Sequence, residues 1–207
     1  MNRLEDSRLY GILDLAYVPP ANLVRMALDM VEGGVDILQL RAKSFIPDDV
    51  RWFAEQIHPV TSGAGVPLVI NDFPEVAADV GAEGVHLGQD DISVERARQV
   101  AGYRTAIGKS THSVAQAMAA AGEDTDYLGF GPIFATPTKP DYAPIGVSEI
   151  RTVHEIVKKP IFCIGGIKAE NLAVVIEAGA RRVVIVSAIL QAADVAGYCR
   201  TVKGMLG

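Results

Sequence analysis

The sequence predicts an α/β fold, a (β/α)8 barrel of the TIM type in which residues 1–207 form one near-minimal domain. Three observations predict it. First, a unit recurs in which a helix-like stretch ends at Gly or Ala-Gly and an apolar run follows within a few residues. Glu32-Gly33-Gly34-Val35-Asp36-Ile37-Leu38-Gln39-Leu40 is one instance, and Ala178-Gly179-Ala180-Arg181-Arg182-Val183-Val184-Ile185-Val186 is another. Gly past a helix end is a C-cap signal, and a Val/Ile-rich run beside it reads as a buried parallel strand. Second, eight such runs occur, whereas a doubly wound sheet usually has fewer strands and needs a switch point. Third, 207 residues leave about 26 for each unit, near the lower end for a barrel, so no linker or second domain fits.

The strands fall at 9–14, 36–41, 67–71, 84–87, 105–109, 127–131, 160–164 and 182–187. Between them, residues 22–31 carry apolar side chains at i, i+3, i+4 and i+7, the spacing of a core-facing helix. Residues 51–57, 93–100, 113–121, 147–157 and 171–178 serve similarly, and 75–80 carries a weaker pattern.

Composition removes other classes. Hydrophobic residues at 49% and charged residues at 21% are incompatible with a disordered chain. Two cysteines, Cys163 and Cys199, make neither a disulfide framework nor a zinc cage. Early acids and Arg8 interrupt any apolar leader, and the densest apolar run, 183–190, is far shorter than a membrane span. A net charge of −6 without a basic run argues against a nucleic-acid partner. The expectation is a cytoplasmic protein acting on small molecules, with no membrane, and with a homo-oligomer left open. An acidic chain that binds a phosphorylated substrate must concentrate positive charge locally.

In a barrel, chemistry sits at the C-terminal ends of the strands and in the loops after them. The second strand ends Gln39-Leu40-Arg41-Ala42-Lys43, and alternation puts Gln39, Arg41 and Lys43 on one side, as an anion clamp. Asn71-Asp72 ends the third strand, and Gly88-Gln89-Asp90-Asp91 follows the fourth. Asp72 and Asp91 on neighbouring strand ends read as ligands of Mg²⁺ beside a diphosphate; the alternative makes Asp72 and one of Asp90 and Asp91 N-caps of the next helices. After the fifth strand, Ser110-Thr111-His112-Ser113 offers hydroxyls for phosphate or for capping, and His112 as an acid/base group. The sixth strand is followed by the longest connection, 135–144, a lid candidate in which Thr136, Thr138 and Lys139 supply donors. Gly165-Gly166 after the seventh strand and Val186-Ser187 at the end of the eighth have the character and order of a barrel phosphate site, or of a tight turn alone. No nucleophile elbow, Walker loop, His-Glu-x-x-His or dinucleotide fingerprint occurs.

These segments, taken in order from the second strand to the eighth, resemble the thiamine-phosphate synthase family. That family condenses 4-amino-2-methyl-5-(diphosphooxymethyl)pyrimidine with hydroxyethylthiazole phosphate or its carboxy form, giving thiamine phosphate and diphosphate. The resemblance implies that Gln39, Arg41, Lys43, Asn71, Ser110 and Lys139 hold the pyrimidine diphosphate. It implies one Mg²⁺ on Asp72 and Asp91, and thiazole phosphate near Thr136, Thr138, Gly166, Val186 and Ser187. Two positions depart from the family. Ala42 replaces a usual acid but points away from the clamp by alternation. Lys109 replaces a small apolar residue and faces either the helices or the diphosphate. The rival readings are a thiazole tautomerase-like barrel using His112, a silent phosphate-ligand binder, and another phosphate-binding barrel such as a sugar-phosphate epimerase.

Overall fold

A computed structural model describes residues 4–136 and 143–207, and among them eight parallel strands close into a barrel in sequence order. The strands are β1 (Leu9–Asp14), β2 (Ile37–Arg41), β3 (Leu68–Asn71), β4 (Gly84–Leu87), β5 (Ala106–Thr111), β6 (Tyr127–Phe130), β7 (Ile161–Cys163) and β8 (Val183–Ile185). The helices among the described residues are α1 (Leu23–Glu32), α2 (Pro47–Gly63), α3 (Pro74–Val80), α4 (Val94–Ala101), α5 (Val114–Gly122), α6 (Ile150–Ile156), α7 (Ala169–Glu177), the short α8 (Ser187–Leu190) and α9 (Val195–Leu206). The predicted architecture is therefore the observed one.

Strand alternation sorts the side chains into two cores. Tyr10, Ile12, Ile37, Val69, Tyr127, Phe162 and Val184 fill the barrel interior as one cluster. Leu9, Leu13, Leu38, Leu40, Leu68, Ile70 and Val85 point the other way and join the larger core under the helices. The interior is packed around Phe162, whose ring stands edge-on to Tyr10 at 5.4 Å and to Tyr127 at 5.7 Å. Gly108 makes this packing possible, since a Cβ there would lie 2.1 Å from the Tyr127 ring.

Boundaries differ where local signals compete with tertiary pairing. The fifth strand runs on through Ser110 and Thr111, which register with Gly129 and Phe130. The second helix is longer than 51–57: Pro47 opens it, Asp48 and Asp49 complement its first turn, and it continues through Pro59. Ser187 opens α8 instead of closing β8, and α9 follows with Asp194 as N-cap accepting from Gly197 N at 2.8 Å. Among the described residues no helix is long and apolar enough to cross a membrane. Cys163 and Cys199 are both free and buried.

Candidate active site

A cavity of about 290 Å³ opens at the C-terminal ends of the strands. Of the residues singled out from the sequence, Gln39, Arg41, Asn71, Ser110, Thr136, Gly166, Val186 and Ser187 line it. They converge from six strands or the loops after them, as the barrel rule requires. Lys43, Asp72 and Asp91 stand outside that lining, while Thr138, Lys139 and the middle of the lid candidate lie outside the described residues.

The clamp side carries compensating acids. Arg41 Nη1 donates to Asp14 Oδ2 at 2.5 Å, and Asp14 is 1% exposed at the end of β1. Lys43 Nζ lies 3.1 Å from Asp72 Oδ2. Asp91 stands against Asp72, and its Oδ2 also accepts from Gly88 N at 2.6 Å. Neither acid caps a helix: α3 starts behind Phe73 and α4 behind Ser93, whose hydroxyl accepts from Arg96 N. The capping alternative for Asp72 and Asp91 is thereby removed.

Asp72 has a left-handed backbone, φ 67°, held in part by its N–H donating to the His86 carbonyl at 3.0 Å. Burial pushes its carboxyl above the ordinary value, Lys43 pulls it down, and the charge of Asp91 pushes it up again. Two carboxylates meeting in this way repel unless a cation or proton intervenes. Arg41 and Lys43 face Asp14, Asp72 and Asp91, two cations against three carboxylates. A divalent ion would reverse the sign of this corner, and two carboxylates plus phosphate oxygens and water are what Mg²⁺ accepts. The donor set fits Mg²⁺ in that form only, since among the described residues no group of three acids, histidines or cysteines gathers to hold an ion alone.

The floor of the cavity is neutral and polar. Asn71 is 7% exposed, and its Nδ2 is buried with no hydrogen-bond partner. A buried amide donor without an acceptor costs free energy, so a ligand acceptor at that atom would be favoured. Gln39 Nε2 donates to Tyr10 Oη at 2.7 Å, and Ser110 Oγ lies 2.9 Å from His86 Nε2. Gln89 donates to the Ser110 carbonyl at 2.5 Å and so braces β5 from the β4 loop. His112 also lines the cavity, with Nδ1 donating to the Gly131 carbonyl at 2.5 Å.

The opposite wall is the glycine turn. Gly165 and Gly166 have φ of 100° and 64°, and a Cβ on either would come within 2.8 Å of the loop after β6. That loop is tied down by Phe134 N donating to Gly165 O at 2.9 Å, and Asn171 Nδ2 donates to Gly166 O at 2.9 Å. The turn is thus both sterically required and directed at the cavity. Lys109 faces away from it: its ammonium is 2.8 Å from both carboxylate oxygens of Glu123, between β5 and the helices.

Sequence reasoning missed Asp14, Lys168 and the role of His86, all of which bear on the cavity. An acid closing the apolar run Leu9–Asp14 was the one available signal for Asp14. The Arg41 pairing depends on the β1–β2 register, Asp14 opposite Arg41, which no local pattern contains.

Comparison with known proteins agrees with the geometry. The family model described as thiamine monophosphate synthase matches residues 9–189. The thiamine-phosphate synthase of Halalkalibacterium halodurans is 38% identical over 98% of this chain and 97% of its own. That of Gloeobacter violaceus is 40% identical over 93% of this chain, which spans 55% of that longer protein. The solved structure of thiamine phosphate pyrophosphorylase from Pyrococcus furiosus superposes with a TM-score of 0.90 at 29% identity, covering 99% of this chain and 98% of that one. With a matching family model over most of its length and a cavity at the strand ends where the motifs converge, the chain belongs to the thiamine monophosphate synthase family.

Proposed function

We propose that the chain is a Mg²⁺-dependent transferase that joins 4-amino-2-methyl-5-(diphosphooxymethyl)pyrimidine to a thiazole phosphate, releasing thiamine phosphate and diphosphate. The observation that carries this reading is one cavity with two differently built ends. One end is lined by Arg41, with the Lys43, Asp72 and Asp91 cluster beyond the lining; the other is the Gly165-Gly166 turn with Val186 and Ser187. Two phosphorylated substrates need two such ends and a short path between them.

In this reading Gln39, Asn71 and Ser110 hold the pyrimidine portion, and Arg41, Lys43 and Lys139 hold the diphosphate. Arg41 spends one N–H on Asp14 and keeps its remaining donors for an anion. Mg²⁺ on Asp72 and Asp91 would supply charge stabilisation to the leaving oxygens. Thr136, Thr138, Gly166, Val186 and Ser187 seat the thiazole phosphate. The C–O bond to diphosphate breaks first, its electron pair leaving with the diphosphate. The pyrimidine amino group stabilises the carbon cation, and the thiazole nitrogen then attacks that carbon. Donors fixed before the charge develops lower the barrier, and close approach of the two rings supplies the rest. No protein nucleophile is required.

The test incubates the folded protein with both substrates, with Mg²⁺ and after chelation. Thiamine phosphate should form only with the metal present. Product formation unchanged by chelation would remove the metal from the reading, and no product in either arm would remove the synthase activity.

A further inference from the structure

Beneath the cavity, five side chains on five strands form one hydrogen-bonded chain across the barrel. Gln39 Nε2 lies 2.7 Å from Tyr10 Oη, and Tyr10 Oη lies 3.1 Å from Tyr127 Oη. Tyr127 Oη lies 3.2 Å from His86 Nδ1, and His86 Nε2 lies 2.9 Å from Ser110 Oγ. Both ends of the chain, Gln39 and Ser110, line the cavity, and so does His86. The middle, Tyr10 and Tyr127, is 1% exposed at each residue.

We propose that Tyr10, Tyr127 and His86 act as positioning residues that preset Gln39 as an acceptor and Ser110 as a donor toward an amino-substituted heterocycle. The proposal rests on the reading that Gln39 and Ser110 face the pyrimidine substrate, and it adds how their polarity is set.

The direction follows from proton counting. An amide nitrogen only donates, so Tyr10 oxygen accepts from Gln39, and the Gln39 carbonyl oxygen is left for the cavity. Tyr10 has one proton to give, and Tyr127 oxygen is its other neighbour. Tyr127 in turn gives its single proton to His86 Nδ1. That fixes the Nε2–H tautomer of a neutral imidazole, which donates to Ser110 Oγ. The Ser110 proton then points away from His86. Both tyrosines keep their protons because burial pushes their phenols above the ordinary value. Since each link has one proton, the two ends cannot be set independently.

The result is an acceptor from β2 and a donor from β5 on one cavity floor. An aminopyrimidine presents the complement: an amino group that donates and ring nitrogens that accept. A pyrimidine with an oxo group in place of the amino group presents the reverse at that edge. A site with preset polar groups rejects such an analogue strongly, because a buried donor or acceptor is left unpaired. Gly108 has a part here too, since its missing side chain is what admits the Tyr127 ring to the barrel centre.

Two measurements test the relay. In the first, calorimetry compares the affinity of the intact protein for the 4-amino pyrimidine diphosphate with that for its 4-oxo analogue, in wild type and in Tyr127→Phe. Removing one hydroxyl frees Gln39 to turn over, and the preference for the amino form should fall about tenfold, the size of one lost hydrogen bond. A merely structural loss lowers both affinities together and leaves the ratio unchanged, which would overturn the proposal. In the second, the ¹⁵N spectrum of His86 in the wild-type protein near neutral pH should show a bare Nδ1 and a protonated Nε2. The Nδ1–H tautomer or a cationic ring would overturn it, whether or not Tyr127→Phe folds. The spectrum requires no turnover, so a relay that fails in an active synthase is distinguished from a synthase reading that fails with the relay intact.

Discussion

Asp72 concentrates the conflict between folding and function. Its φ of 67° is one that non-glycine residues adopt at a cost, and among them Asn and Asp tolerate it best. Its carboxyl is also pushed up, first by burial and then by Asp91. A folded-state value above the unfolded one means that the contribution to stability is fully present below the ordinary value of 3.8 and is lost as pH rises through the folded value. Ionising Asp72 without metal therefore costs stability. Asp72→Asn keeps the backbone preference and removes the charge. Its melting temperature in metal-free buffer should equal or exceed that of wild type, while kcat/KM falls by about a hundredfold or more. A lower melting temperature with retained activity would contradict this account of the residue. Lys109 is the opposite case. Its neighbours Gly108 and Ser110 face the barrel interior, so alternation turns Lys109 out to Glu123. Lys109→Met should leave kcat/KM within about twofold and lower stability by less than about 1 kcal/mol, as for a partly exposed ion pair. Denaturant melts and a rate assay on one sample check both.

At the scale of elements, much of the fold was legible because each strand carries its own apolar run and each helix its own punctuation. Ser93 and Ser113 cap α4 and α5 through bonds from Arg96 N and Gln116 N, both local signals. Helix α9 was passed over, although its buried Val195, Cys199, Val202 and Leu206 recur at helical spacing. The end of β5 was misjudged because Ser110 and Thr111 are polar, and only pairing with β6 keeps them extended. The site was readable to a similar degree. Gln39, Arg41, Asn71 and Ser110 came from strand ends and alternation, which are local. Asp14 and the relay through His86 depend on contacts 24 to 117 residues apart in sequence, which no window contains. Packing between strands also yields a prediction. Gly108→Ala places a Cβ 2.1 Å from the Tyr127 ring, inside the barrel where nothing can give way cheaply. It should cost about 1–3 kcal/mol by overpacking. An Ala variant as stable as wild type would mean that the Tyr127 ring has room to move, and would weaken the proton-counting argument with it.

At the scale of the whole molecule, a net charge of −6 is relieved little on the clamp side of the active site, where Arg41 and Lys43 each meet an acid. In the proposed reading Mg²⁺ and Lys139 would add positive charge for the diphosphate, so substrate affinity should fall steeply when the metal is withheld. Global stability has its own pH signature. His154 on α6 is held down to about 4 by burial and by the nearby Arg181 and Arg182. A folded value below the ordinary 6.5 means that the neutral ring is the folded form. Stability from this group is full above about 6.5 and declines as pH falls from there toward about 4. The difference in melting temperature between wild type and His154→Gln should therefore narrow or invert between pH 7 and pH 5, and a pH-independent difference would contradict it.

The central claim is that one cavity joins two phosphorylated halves. The most direct measurement is the stoichiometry of the reaction with purified protein, both substrates and Mg²⁺. The account predicts one diphosphate released for each thiamine phosphate formed, with neither appearing when the thiazole phosphate is withheld. Diphosphate released without thiamine phosphate, or no product from a folded protein, would contradict it.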